Sequence, residues 1–179
     1  GEAVVLDGSF RRVSPAAAAA VNGAFGHAQD FDDLHNSSIV HPGVITIPTA
    51  LALGQQLHLG GPQVLLAVVL GYDVAARIGE AINPEAYHFW HTTAVAGPLS
   101  SAAAAAKLLG LDGEQTAQAL GSAGTQAGGL WAFLAQGAMS KSLHAANANL
   151  CGIRSARLAQ AGFTGSTEII ESPRGFAHA

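Results

Sequence analysis

The sequence predicts an all-α fold, a compact multi-helix domain that spans residues 1–179 as a single unit. Segments with helical amphipathic periodicity follow one another along the chain, short linkers join them, and few stretches alternate like β-strands. Alanine, the strongest helix former, is abundant, as in Ala16–Ala20. A chain of 179 residues is also long enough for one domain with a substantial core.

The first half of the chain is predicted to hold a short β segment and three helices. Val4–Leu6 is β-like and is followed by an Asp-Gly turn. Ser14 is a favoured N-cap and Pro15 fits the first helical position, so a helix is expected from Pro15 to about Leu34. Two more helices are expected over Val44–Leu59, where Pro48 marks a kink or a late start, and over Gln63–Ile82, before Asn83-Pro84.

Three further helices are expected in the second half. They run from Thr92 or Thr93 to about Leu109, from Asp112 to about Ala127, and from Ser142 to Ala161. Asp112 is a favoured N-cap, and Gln115 three residues later completes a capping box. Residues 128–140 are predicted to be irregular or a short apolar turn, and residues 166–171 are a candidate for one more short helix.

Charge is scarce in this chain. Only 11% of the residues are charged, against about 25% in ordinary globular domains, while 49% are hydrophobic. So little charge cannot cover a fully solvated monomer, and we expect part of the surface to face another subunit or another domain. The formal net charge of -4 and the lack of a basic run argue against nucleic-acid binding.

Neither a membrane span nor a disulfide is predicted. Val64–Tyr72 is far shorter than the ~20 residues of a span, and polar residues interrupt the alanine-rich stretch Ala94–Leu111. Cys151 is the single cysteine, so it has no internal partner, and we expect a small buried core residue there. Since the chain also opens with no signal-peptide pattern, a cytoplasmic location is expected.

The densest group of polar residues surrounds the expected end of the first helix. It contains His27, Asp30, Asp32, Asp33, His35 and His41. On a helix, His27 and Asp30 lie one turn apart and can interact. Histidines and carboxylates in such numbers are compatible with a metal site, but the loose spacing favours a solvated helix terminus with polar loop residues.

Two further polar groups lie next to expected helix starts. Tyr87–Thr93 precedes an alanine-rich helix, where its histidines and hydroxyls could hold a carboxylate; the alternative is a loop whose aromatic residues enter the core. The third group contains Lys141 and His144. A cation is unfavourable at the start of a helix, so we expect an anionic partner near Lys141, the alternative being an exposed lysine.

A series of short motifs runs in order along nearly the whole chain. The motifs are Asn22-Gly23, His27-Ala28-x-Asp30-Phe31-Asp32-Asp33, His41-Pro42-Gly43, Gly71-Tyr72, Arg77-Ile78-Gly79, His91-Thr92-Thr93, Lys107-Leu108-Leu109-Gly110-Leu111, Ser140-Lys141-x-Leu143-His144 and Gly162-Phe163-Thr164-Gly165. Each motif is weak by itself, but the ordered set resembles the MmgE/PrpD family, which includes dehydratases, decarboxylases and epimerases of small carboxylic acids.

The resemblance implies a helical domain, chemistry without a cofactor or a metal, and a small di- or tricarboxylate as substrate. It assigns the family's catalytic positions to Asp30, His41, His91 and Lys141. We expect His27, His35, Thr92 and His144, from the same three groups, to bind the substrate. Members of the family are commonly homodimers and have a second, α/β domain, which supplies another lysine and which we expect to be absent from this chain.

The favoured function is a cofactor-independent lyase that removes water or CO₂ by proton transfer next to a carboxylate. His41 suits the proton transfer, Lys141 and a protonated His91 suit carboxylate binding, and Asp30 suits orienting a histidine or acting as the base. Where many members carry Thr after the D-F-D-D motif, this chain has Leu34 and lacks a hydroxyl. Two alternatives stay open: an epimerase or racemase of an amino- or imino-dicarboxylate, and a non-catalytic helical fragment or assembly module.

Overall fold

The structure, a computed structural model, describes residues 2–178, and the prediction of an all-α domain is confirmed. These residues contain a two-stranded hairpin and six α-helices. The elements are β1 (Ala3–Val4), β2 (Arg12–Val13), α1 (Pro15–His27), α2 (Pro42–Gln56), α3 (Gly61–Ile82), α4 (Thr92–Leu109), α5 (Gly113–Gly124) and α6 (Lys141–Gln160). Short 3-10 turns lie at Ala86–His88, Trp131–Ala135 and Phe176–His178.

The N-terminal hairpin is fastened to the first two helices. β1 and β2 pair antiparallel, with Ala3 opposite Val13, so the β-like run Val4–Leu6 is confirmed at its first residue only. The Asn22 side chain, on α1, donates to the Val4 carbonyl at 2.9 Å and accepts from the Leu6 N–H at 2.8 Å. These bonds satisfy backbone groups that a two-stranded sheet leaves unpaired.

The predicted helix caps are present. The Ser14 Oγ accepts from the Ala17 N–H at 3.4 Å, directly before Pro15 at the start of α1. Asp112 and Gln115 form the reciprocal capping box of α5, with bonds of 2.8 and 3.2 Å. Local side-chain chemistry is therefore enough to locate these two helix starts.

The first helix ends seven residues earlier than expected, at His27 rather than Leu34. The chain then turns back, and Asp30 adopts a φ of 56°, a left-handed conformation that Asp tolerates better than most residues. In this turn, Asp30 contacts Lys141 on α6, and Asp33 accepts from the Gly43 N–H on α2. The expected helical spacing of His27 and Asp30 is therefore wrong, although ligand atoms of the two side chains still lie within 4.8 Å of each other.

Three other boundaries differ from expectation. Helix α2 begins at Pro42, so Pro48 lies inside it instead of marking a late start, and α5 ends at Gly124. Residues 166–171 form turns and not a helix. The Gly165 N–H donates to Gln118 Oε1 at 2.7 Å, and the segment then crosses α5, where contacts with that helix decide its path.

Helix α4 lies at the centre of the domain and packs against α2, α3, α5 and α6. Its alanine, glycine and serine residues let neighbouring helices approach closely. A Cβ atom added at Gly97 would lie 2.6 Å from the Cβ of Ala148 on α6, closer than side chains pack. Cys151 on α6 is 1% exposed, as expected for a core residue.

A buried polar network compensates for the proline inside α2. Pro48 has no N–H, so the Val44 carbonyl lacks its usual helical donor four residues later. The Asn149 side chain, fully buried on α6, donates to that carbonyl at 2.7 Å and accepts from the Thr49 N–H at 3.1 Å. Thr49 Oγ1 also lies 2.7 Å from Ser101 Oγ on α4. The network therefore ties together the three central helices.

Helix α3 leaves an apolar stripe on the surface. Leu65, Leu66, Val69 and Leu70 are each more than a third exposed. Even so, no helix within residues 2–178 combines the length and the hydropathy that crossing a bilayer requires. The stripe agrees with the scarcity of surface charge noted in the sequence.

Candidate active site

Three helices begin close together. His41 directly precedes α2, His91 directly precedes α4, and Lys141 is the first residue of α6. The ring centroids of His41 and His91 lie 6.3 Å apart. Asp30 Oδ1 lies 2.6 Å from Lys141 Nζ and 3.9 Å from His41 Nε2. Because each helix start carries a partial positive charge, this arrangement favours an anion.

Lys141 has the anionic partner that the sequence led us to expect. Its ammonium donates to Asp30 Oδ1, and this hydrogen bond is the main reason that the pKa of Asp30 is lowered. Asp30 is therefore a carboxylate near neutral pH. The pair spans the gap between the end of α1 and the start of α6, and its Asp30 side chain is half exposed.

Asp32 lies on the buried side of the same turn. Its Oδ2 atom is 2.9 Å from His27 Nδ1 and 3.1 Å from His41 Nδ1, and only 7% of the side chain is exposed. Asp32 was not among the expected catalytic residues, because the family resemblance assigned that role to Asp30, the first Asp of the motif. The signal for Asp32 in the sequence was its place in the densest group of polar residues.

Four histidines form a row behind Asp30. Ring centroids are 4.8 Å apart for His41 and His27, 5.6 Å for His27 and His91, and 5.1 Å for His91 and His144. The Nδ1 atoms of His91 and His144 are 2.9 Å apart, so one of them donates and the other accepts. The row passes from His41 through the buried rings of His27 and His91 to His144, which is partly buried.

Burial keeps the inner rings neutral. Desolvation lowers the pKa of His27, of His144 and of His91, the last to about 2. The expectation of a protonated His91 therefore disagrees with its surroundings. Sequence patterns identify a histidine but not its burial, which depends on how α4 packs.

A cavity of about 290 Å³ opens beside the ion pair. Asp30 and Lys141 contribute polar groups to its lining, and Leu134 and Met139 contribute apolar side chains. The same irregular segment places Trp131 against His91, with ring centroids 4.8 Å apart. Trp131 was not among the expected site residues. The cavity has the size and mixed lining of a small-molecule site.

Two expected substrate-binding residues are engaged elsewhere. His35 Nδ1 lies 2.9 Å from Ser38 Oγ, and Thr92 Oγ1 donates to the Ile39 carbonyl. Both contacts fix the loop between α1 and α2. Thr93 accepts from the His41 N–H at 3.1 Å, so it is Thr93 that contacts a catalytic candidate. Substrate binding by His35 and Thr92 stays a prediction.

By residue type and spacing, His27, Asp30, Asp32 and His41 could hold a metal ion, since one ligand atom from each lies within 4.8 Å of the others. The Lys141 ammonium already contacts Asp30, so a metal ion would have to compete with it. Chemistry without a metal stays a prediction here.

Known proteins are similar to this chain over its whole length. The description "MmgE/PrpD N-terminal domain" belongs to the family model that matches residues 1–179. A cis-aconitate decarboxylase of Homo sapiens is 36% identical over 172 residues, which cover 92% of this chain and 35% of that protein. Two Aspergillus proteins each match 94% of this chain and 36% of their own length: the cis-aconitate decarboxylase of Aspergillus terreus, 33% identical, and the cis-aconitate decarboxylase-like protein oryM of Aspergillus oryzae, 34% identical. The chain thus spans little more than a third of these relatives.

Proposed function

Since the chain belongs to the MmgE/PrpD family, whose N-terminal domain it matches throughout, we propose that the protein is a cofactor-independent lyase of small di- or tricarboxylates. The observation that carries the proposal is that three helices, α2, α4 and α6, begin around the Asp30–Lys141 pair. Its relatives include decarboxylases, which are lyases, and this supports the reaction class.

The site is suited to hold carboxylates. Lys141 provides a full positive charge, and the starts of α2, α4 and α6 add partial ones. His91 and His144 each use Nδ1 in the hydrogen bond between them, which leaves the two Nε2 atoms free. One of these Nε2 atoms carries a proton and can donate, and the other can accept. A neutral donor can bind a carboxylate without a second buried charge, and the chemistry then occurs at the adjacent carbon.

We assign the proton transfer to His41. Its Nε2 atom faces the Asp30–Lys141 pair, and 15% of its side chain is exposed, whereas the His27 side chain is fully buried. In a dehydration, the ring takes the proton next to the carboxylate; in a decarboxylation, it returns a proton to the carbon that CO₂ leaves. Lys141 stabilises the enolate-like charge that develops in either reaction. Asp30 holds Lys141 in place for that role.

Cis-aconitate is the first substrate to test, because it is named in the relatives' activity. Leu34 is half exposed and carries no hydroxyl, which favours keeping an epimerase of amino- or imino-dicarboxylates as a second candidate. A dehydratase and an epimerase share the first proton abstraction; the dehydratase then expels water, whereas the epimerase returns a proton to the opposite face of the carbon.

The test is turnover of the purified protein and of a His41→Ala variant. With cis-aconitate and 2-methylcitrate, release of CO₂ or water should fall by ~10²–10⁴-fold in the variant. His58→Ala, at an exposed histidine after α2, is the matched control and should keep normal rates. Near-normal rates in His41→Ala would remove His41 from the mechanism.

The same assay separates the alternatives. Incorporation of solvent deuterium into an amino- or imino-dicarboxylate, without loss of water or CO₂, identifies an epimerase. Activity toward none of these acids supports a non-catalytic helical module. We also propose a homodimer, a contribution to the site from an α/β domain, and a cytoplasmic location. The exposed stripe on α3 supports a contact with another subunit, and sedimentation velocity tests the dimer.

A further inference from the structure

Asp32 is a buried carboxylate with an incomplete set of partners. Its side chain is 7% exposed, whereas that of Asp30, two residues earlier, is 56% exposed. Burying a charged group is unfavourable unless hydrogen bonds compensate for the lost water. Its Oδ2 atom has a hydrogen bond from His27, but Oδ1 has no partner among the described residues. A purely structural carboxylate would be expected to use both oxygens.

The second contact of Asp32 is with the catalytic candidate His41. Oδ2 lies 3.1 Å from His41 Nδ1, yet that nitrogen is not in an aligned hydrogen bond. Hydrogen bonds in active sites are often poorly aligned before substrate binds and tighten in the complex. A small rotation that gives each ring its own carboxylate oxygen would satisfy Oδ1 and His41 Nδ1 together.

The two nitrogens of His41 face different carboxylates. Nδ1 faces the buried Asp32, and Nε2 faces the exposed Asp30, 3.9 Å away beside Lys141. An ionised carboxylate only accepts hydrogen bonds, so Asp32 favours the proton on Nδ1. Nε2 is then the nitrogen with the free electron pair, and it lies on the side of the Asp30–Lys141 pair.

We propose that Asp32 is the positioning residue of His41: it fixes the ring with the proton on Nδ1 and stabilises the imidazolium formed when Nε2 takes a proton from substrate. The effect on turnover rests on the proposed function, whereas the position of the proton on the His41 ring does not. A carboxylate that orients a histidine in this way is a general feature of acid–base sites.

The decisive comparison is Asp32→Asn against Asp33→Asn, the same chemical change one residue apart. Asp33 Oδ1 accepts from the Gly43 N–H at 3.1 Å at the start of α2, and an Asn there keeps an acceptor. An Asn at Asp32 can instead donate its amide N–H to His41 Nδ1, which favours the opposite tautomer. Long-range ¹H–¹⁵N spectra of the histidine rings report the tautomer without needing turnover.

In the unsubstituted protein and in Asp33→Asn, His41 should carry its proton on Nδ1; in Asp32→Asn it should shift to Nε2. Turnover of cis-aconitate should fall by ~10²–10⁴-fold in Asp32→Asn, mainly through kcat with little change in KM. An unchanged His41 tautomer in Asp32→Asn overturns the proposal, whatever the activity. A shifted tautomer with full turnover also overturns it, while a protein inactive on every acid tested contradicts the proposed function alone.

Discussion

The amide of Asn149 offers a sharp test of how the central helices are held. Its side chain makes hydrogen bonds to two backbone groups of α2, the Val44 carbonyl and the Thr49 N–H, in a region without solvent access. Asn149→Ala leaves both without this partner. A buried polar group that loses its hydrogen bond costs about 1–3 kcal/mol, so the free energy of unfolding should fall by about 2–6 kcal/mol.

The assay is chemical denaturation followed by circular dichroism, which reports the loss of these helices. Asn147→Ala is the matched control, because Asn147 lies on the same helix and is exposed. Its effect should stay within about 0.5 kcal/mol, as for most surface substitutions. A cost for Asn149→Ala as small as that of the control would refute the account.

A double-mutant cycle with Pro48→Ala tests the cause. Alanine at position 48 restores a backbone N–H that can donate to the Val44 carbonyl. That carbonyl then no longer depends on the Asn149 side chain for a hydrogen bond. The cost of Asn149→Ala should therefore be smaller in the Pro48→Ala background by about 1–3 kcal/mol. Equal costs in both backgrounds would show that Asn149 does not compensate for the proline.

Three further predictions concern pH, metal ions and packing. The pKa of His91 is about 2 in the folded protein, against about 6.5 in an unfolded chain, so below about pH 6.5 the unfolded state binds more protons. As the pH falls below about 6.5, this residue should lower the free energy of unfolding by up to about 1.4 kcal/mol per pH unit. Denaturation at pH 7.5 and 5.0 should therefore show a smaller loss of stability in His91→Phe than in the unsubstituted protein. Treatment with EDTA should leave turnover unchanged, because Lys141 already provides the cation beside Asp30; a loss of activity that Zn²⁺ restores would contradict this. Gly97→Ala should destabilise the fold by about 1–3 kcal/mol because its Cβ has no space, whereas Gly113→Ala, with open space around it, should not, as thermal unfolding of both variants would show.

Much of the helical framework could be predicted from local sequence. Helix α3 was expected over Gln63–Ile82 and is found over Gly61–Ile82, because Asn83-Pro84 ends it unambiguously. The starts of α1 and α5 were located by Ser14 and Asp112, whose side chains cap the helix within three residues. Features decided by neighbours in the sequence were therefore the predictable ones.

Features decided by distant parts of the chain were not predictable in the same way. The early end of α1 depends on Asp30 and Asp32 bonding to Lys141 and to histidines of the interior. The neutrality of His91 depends on burial by the surrounding helices, which no local pattern encodes. The Ala/Gly-rich composition is typical of closely packed helices, but it does not indicate that α4 is the helix at the centre.

The hydrogen bond between Asp30 and Lys141 joins residues 111 positions apart in the chain. An unfolded polypeptide rarely brings these groups together, so an acid bound in the cavity beside them is bound by the native state alone. Mass action then raises the stability of the fold by about 2.7 kcal/mol when the free acid is at 100 times its Kd. The melting temperature of the protein can therefore serve as a detector, and a panel of small carboxylic acids can be screened for a ligand before any reaction is known.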